Sequence, residues 1–251
     1  MTRRFILTIM LAVVSVSAVL ASDIFSNLNY QMRIGYNLGG TSPIGLPAEI
    51  RSLDKFKPKS NLLLGVDAYK PLRGNWGLSA GLTYENKGME TDAKVKNYHM
   101  SMRRGGDVLS GMFTGNVVTE VEMAMVTVPV RAVYNISNRV KLMAGPYVSY
   151  VTSGKFSGYA YDGYLRDGSP VGQKVEMGHD EGERGEYDFS DDLRHWQFGV
   201  DVGADWYITK RFGVYVGLKW GVTPIFRSSF KTIEQKLYPL YGSAGIVYRL
   251  R

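Results

Sequence analysis

The 251-residue sequence contains no cysteine. Disulfides, thiolate metal centres and a lipid-modified cysteine at the start of an exported chain are therefore excluded. Histidine is scarce, with three residues, and no His-Glu-x-x-His pair offers a zinc site. Past the first two dozen residues no apolar run approaches 18, so no membrane-crossing helix is expected there. No stretch carries a convincing 3.6-residue apolar period, and no low-complexity linker divides the chain. The formal charge is +7, with 30 basic against 23 acidic residues. The basic residues are scattered rather than clustered, which argues against nucleic acid as a partner.

What is present begins with MTRRFILTIMLAVVSVSAVLAS. Arg3 and Arg4 precede an apolar run from Phe5 to Leu20 and then small residues. A charged start, an apolar middle and a small-residue end predict a secretory signal peptide over 1–21. The apolar part is shorter than the roughly 20 residues a spanning helix needs. The mature chain is then 22–251, a single domain, and an exported chain without cysteine suits a bacterial envelope.

Along that domain, bulky apolar residues alternate with glycine or polar ones. Residues 199–222 are an example: Val200, Val202, Ala204 and Trp206 interleave with Gly199, Asp201, Gly203 and Asp205. This period of two predicts strands near 30–40, 61–71, 76–88, 119–135, 139–152, 194–208, 212–226 and 238–250. Several run to 11–15 residues, enough to cross a bilayer at a tilt, whereas soluble strands average about 5–6. The links alternate in length. "LRGN", "ISNR" and "TKR" are tight, while 41–60, 89–118, 153–193 and 227–237 are long. The pattern predicts an all-β, eight-stranded antiparallel up-and-down transmembrane β-barrel with short periplasmic turns and long extracellular loops.

The apolar face is expected to meet lipid. Aromatic residues bound it at both ends: Tyr30, Trp76, Tyr134, Trp206, Phe212 and Tyr248 near the short turns, and Tyr84, Tyr150 and Trp196 near the long loops. Aromatic girdles around an aliphatic band are the mark of a bilayer-facing surface. The other face, rich in glycine and tyrosine, carries Arg33, Asp67, Glu85, Lys87, Arg131, Asp201, Asp205, Lys219 and Arg249. Five bases against four acids suggest a lumen filled by paired charges, because an eight-stranded barrel is just wide enough for side chains to fill it. An ion path or proton relay is the competing reading.

The run VTVPVRAVYNISNRVKLMAGPYVSY, residues 126–150, resembles the middle of the PorT-like outer-membrane β-barrel proteins of Bacteroidota, through its "VPV", its turn and its "AGPYVSY" ending. GLTYENKG, residues 81–88, is similar to the strand before it in that family. The resemblance implies a small porin-family barrel in the outer membrane. One branch of the family serves protein secretion, a role the likeness is not close enough to transfer. The sequence also departs by closing on Tyr248-Arg249-Leu250-Arg251, where many outer-membrane proteins carry a final aromatic residue.

Residues 178–192 hold seven acids and one arginine. Without EF-hand spacing, they read as a solvated loop rather than a cation site. His99, His179 and His195 lie in or beside the long loops, with Ser101, Ser110 and Ser190 near in sequence, but nothing in the spacing joins a nucleophile to a base. The expected role is that of a non-enzymatic, monomeric structural or interaction barrel without cofactor or metal. Its expected partners are membrane lipid, lipopolysaccharide and an envelope protein met through the long loops. A small pore or uptake protein, a secretion-system accessory barrel and, behind these, a lipid-modifying enzyme are the competing classes.

Overall fold

The computed structural model of the protein describes residues 27–250 apart from 44, 46, 169, 170, 231 and 234. The segment read as a signal peptide, 1–21, lies outside the described residues. Among the described residues, eight long strands dominate: β1 (Asn29–Pro43), β3 (Leu62–Pro71), β4 (Trp76–Arg104), β5 (Asp107–Asn135), β6 (Val140–Asp167), β9 (Trp196–Tyr207), β10 (Phe212–Gly221) and β11 (Leu237–Arg249). Three short strands join them: β2 (Ile50–Pro58), β7 (Lys174–Met177) and β8 (Gly185–Asp188). Every pairing is antiparallel. Starting at β1, the pairs run through β3, β4, β5, β6, β9, β10 and β11, and β11 pairs with β1 again. The result is an up-and-down sheet of about eight strands in a ring.

Side chains settle which face is which. Along β10, Val214, Val216 and Leu218 are exposed while Tyr215 and Lys219 are buried. The same inversion holds around the ring, with Leu62 at 60%, Leu82 at 57% and Val216 at 59% exposure. An apolar belt this wide needs a bilayer to cover it. The tight links are closed by turn chemistry. Ser137 accepts the amides of Arg139 and Val140, Thr209 accepts those of Arg211 and Phe212, and Gly74 takes a left-handed φ of 68°. Inside, a Cβ on Gly35 would overlap the Tyr215 hydroxyl and the Ala244 carbonyl, so glycine there makes room for the lumen tyrosine and the neighbouring strand.

The expectation of loops over 41–60, 89–118 and 153–193 is corrected by the structure. Strands β4, β5 and β6 are 29, 29 and 28 residues long and run far past the apolar belt. Their outer halves, joined by β8, form a folded cap. Strand β8 pairs with β6 over Ser157–Ala160 and with β4 at Arg103↔Glu186. Strands β2 and β7 flank β4 and β6. The β4–β5 hairpin closes on Gly105 and Gly106, at φ 56° and 98°, a two-residue turn that only glycine adopts easily. Register shifts at Val95/Tyr98 and Thr114/Asn116 bend the extensions, with Asn97 and Asp162 in left-handed backbone beside them.

Within the cap, alternation continues with the opposite sense. Phe113, Val121, Met125 and Leu165 are fully buried against Met100, Met102, Phe156 and Phe226. The acidic segment 178–192 is likewise no free loop. It supplies β8, and Tyr187 packs in this core with its hydroxyl donating to the Val118 carbonyl at 2.8 Å.

Candidate functional site

The most elaborate polar construction lies inside the ring, at the height of the belt. Eight of the nine charges assigned to the inner face are buried: Arg33, Lys87, Arg131 and Lys219 against Asp67, Glu85, Asp201 and Asp205, four bases to four acids. They form two clusters. In the first, Arg33 donates from Nε to Asp67 at 2.5 Å and from Nη1 and Nη2 to both oxygens of Asp205 at 2.6 and 2.8 Å. Arg131 bridges Asp201 at 2.7 Å and Asp67 at 3.4 Å. A bidentate guanidinium–carboxylate fork is the strongest form of such a pair. Gln31 extends the chain, donating to Asp67 and accepting from the Tyr207 hydroxyl at 2.9 Å.

The second cluster centres on Glu85. Lys219 lies 2.8 Å and Lys87 3.3 Å from its carboxylate, and Thr127 donates to it at 2.7 Å. The Lys87 ammonium also sits 5.5 Å from each of the Tyr147 and Tyr241 ring centres. Lys219 is the register partner of Asp201 on the neighbouring strand, yet its ion pair crosses the lumen to Glu85.

Arg249 is placed differently. It is half-buried at the short-turn mouth, its guanidinium 3.4 Å from the centre of the Tyr207 ring. Beside it stands a lysine that sequence reasoning passed over. Lys141 is 8% exposed, with its ammonium 3.6 Å from the Tyr69 ring centre. Its parity with Met143, Tyr147 and Ser149 on β6 was the available signal.

The nine girdle residues are all exposed, from Tyr134 at 38% to Trp206 at 59%. Trp76 meets Tyr134, and Tyr150 meets Trp196, each edge to face at 5.0 Å. Tyr36 and Trp220 are equally exposed near the long-loop end and were missing from the sequence-derived set.

Above the belt, Glu120 accepts from Lys155 at 2.6 Å and Lys59 at 2.5 Å. These bonds hold its carboxyl below the usual range, and that of Glu90 is lowered by Lys57. Burial raises the Tyr187 phenol.

The three histidines are dispersed. His99 faces the Thr232 carbonyl, His195 the Val151 carbonyl, and His179 pairs with Asp162 at 3.1 Å. Ser101 bonds Ser110 and Ser190 bonds Asp188. The Gly-x-Ser-x-Gly spacing of residues 77–81, which sequence reading missed, lies near the start of β4, in extended strand, with Ser79 buried. A nucleophile elbow needs a strand-to-helix turn. Among the described residues no group of three or more His, Asp or Glu is gathered as a metal site.

The sequence pattern of the outer membrane protein beta-barrel domain matches residues 18–227. No curated protein matches the chain. Among solved structures, Ail, the attachment invasion locus protein of Yersinia pestis, in complex with the heparin analogue sucrose octasulfate, is 13% identical. The match covers 89% of this chain and 99% of that one, with a TM-score of 0.40. The outer membrane protein OprG of Pseudomonas aeruginosa is 11% identical over 89% and 96%, at 0.41. At such scores the likeness adds nothing to what the strand pairings give.

Proposed function

This chain belongs to the outer membrane protein beta-barrel domain family, and we propose that it serves there as a closed eight-stranded barrel with a side-chain-filled lumen, a non-enzymatic scaffold for its cap. The observation that carries this reading is the lumen network, four buried bases against four buried acids joined in two clusters. Buried charges persist when paired and hydrogen-bonded, and their pairing fixes side chains across the bore. In this reading residues 1–21 direct export, the tight turns face the periplasm and the cap faces outward. By its resemblance, the segment 126–150 is read as PorT-like. The cap then meets lipopolysaccharide and a protein partner of the envelope.

The test is single-molecule conductance of the mature protein in a planar bilayer, with folding checked by the altered gel migration of unboiled sample. The expected result is silence at moderate voltage. Discrete, reproducible current steps that change size in Lys219→Met overturn the filled-lumen reading in favour of a small pore.

A further inference from the structure

The short-turn mouth of the ring opens into a bowl of about 660 Å³, lined by Lys141, Lys210, Arg211 and Arg249 together with asparagines such as Asn29 and Asn135. Among the described residues no acidic side chain lines it. Nor does one occur in the flanking stretches 68–77, 133–142 and 206–213, where Arg73 and Arg139 add further positive charge.

Two features separate this bowl from a rim of solvated lysines. Lys141 is more than nine-tenths buried, and among the described residues no carboxylate comes within 4.0 Å of its ammonium. Its polar company is the faces of Tyr69, at 3.6 Å, and Tyr207, at 5.8 Å. A cation–π contact offsets only part of the desolvation of a buried ammonium. Arg249 lies 3.4 Å from the centre of the same Tyr207 ring, and its guanidinium donates to the Lys210 carbonyl at 3.5 Å. Two cations thus converge on one ring. The carboxylate nearest in register, Asp205, is the cross-strand partner of Lys141, but both its oxygens are taken by Arg33.

We propose that the bowl is an oxyanion site in which Lys141 and Arg249 hold a phosphoryl group, with Lys210 and Arg211 drawing it in. The ligand is a soluble phosphorylated compound or the headgroup of an anionic phospholipid, which share this chemistry. The site lies beside the lumen plug and stands whether or not the barrel conducts.

Inorganic pyrophosphate titrated calorimetrically into the full-length barrel in a neutral maltoside detergent, at low salt, tests the site. Saturable binding of one ion per barrel is expected. Lys141→Met keeps an unbranched side chain of similar length and removes the charge, and it should weaken binding about tenfold or more, as loss of a charge-assisted bond does. Arg249→Gln should weaken it similarly. Because Arg249 is half-exposed, that variant decides the matter if Lys141→Met fails the gel-migration check of folding. Absence of saturable binding, or wild-type affinity in the folded variants, overturns the proposal. Nanodiscs containing phosphatidylglycerol then separate the sources by phosphorus NMR. A lipid signal broadened by the wild type but not by Arg249→Gln identifies the headgroup, and an unchanged lipid signal identifies a soluble ligand.

Discussion

Strands β4, β5 and β6 each pass through two regions with opposite rules. In the belt their inward residues are mostly polar, Glu85 and Lys87 on β4, Thr127 and Arg131 on β5, Ser149 on β6, with Val133 and Met143 as apolar exceptions near the short turns. One inward step toward the cap they turn apolar, at Met89, Met125 and Val151, and the cap interior is then mainly apolar, with Thr91 and Thr119 among its lining. The pleat is unbroken across the change, so strand geometry does not cause it. The surroundings do. Where lipid covers the outside, apolar side chains face out and the polar set must satisfy itself within. Where water covers the outside, burial of apolar surface at roughly 25 cal/mol/Å² drives the apolar set inward. The Thr127/Met125 and Ser149/Val151 steps, level in register with Thr83/Glu85, and the Lys87/Met89 step two inward positions beyond them therefore mark a sloping cap-side edge of the belt, close to the exposed ring of Tyr84, Tyr150 and Trp196.

The comparison breaks hardest in the lumen. Arg33→Met leaves Asp67 short of one partner and Asp205 without its bidentate fork. Removing one member of a buried ion network typically costs about 3–5 kcal/mol. Urea unfolding of the barrel in lipid vesicles, followed by tryptophan fluorescence, should show a loss of that size. Unchanged stability would mean that the clusters are hydrated rather than sealed.

Smaller, and on the outer face, is the contrast between two exposed valines. Val216, 59% exposed, sits mid-belt on β10, and Val108, 68% exposed, sits at the tip of the cap hairpin. Exposure alone would treat them alike. Val216→Arg should destabilise by about 2–4 kcal/mol in vesicles, as arginine at the bilayer midplane does. Val108→Arg should stay within about 0.5 kcal/mol, as surface changes usually do. Equal effects in the same unfolding assay would mean that the belt is misplaced.

The belt was legible in the sequence because lipid imposes a strict period of two and aromatic ends, from Tyr30 and Trp76 to Trp196 and Trp206. The cap was not. Met89, Val95, Met100 and Met102 alternate with charged or polar residues as well, but the charge density of "METDAKVKN" and the Arg-Arg-Gly-Gly run read as loop. Gly105-Gly106 carried a hairpin signal, and the bulge at Val95/Tyr98 broke the period that would have strengthened it. In the lumen the charges were legible by parity and their partners were not, since Lys219 bonds across the bore to Glu85 while its strand neighbour Asp201 bonds Arg131. Cross-lumen contacts depend on ring size and stagger, which no local pattern encodes.

The smallest effect belongs to the surface of the cap, where Glu120 on β5 joins Lys155 on β6 and Lys59 in the link after β2. Its folded pKa lies below the ordinary glutamate value of 4.5, first through the bond from Lys155 and then through that from Lys59. A carboxyl with a lowered folded pKa stabilises the native state fully above its unfolded pKa and loses that contribution as pH falls through the folded one. Cap stability should therefore be flat from pH 7 to about 5 and decline below about 4.5. The Glu120 side chain is 25% exposed and that of Lys155 51%, so the decline should amount to only about 0.2–1 kcal/mol and shrink in salt. Native-state hydrogen exchange of amides 117–121, corrected for intrinsic rates, measures it. Glu120→Gln should remove most of the slope while leaving lumen amides near Thr127 unchanged. A slope that survives the substitution would move the acid sensitivity to the Glu90–Lys57 pair, the other paired carboxylate held below its ordinary value on this face.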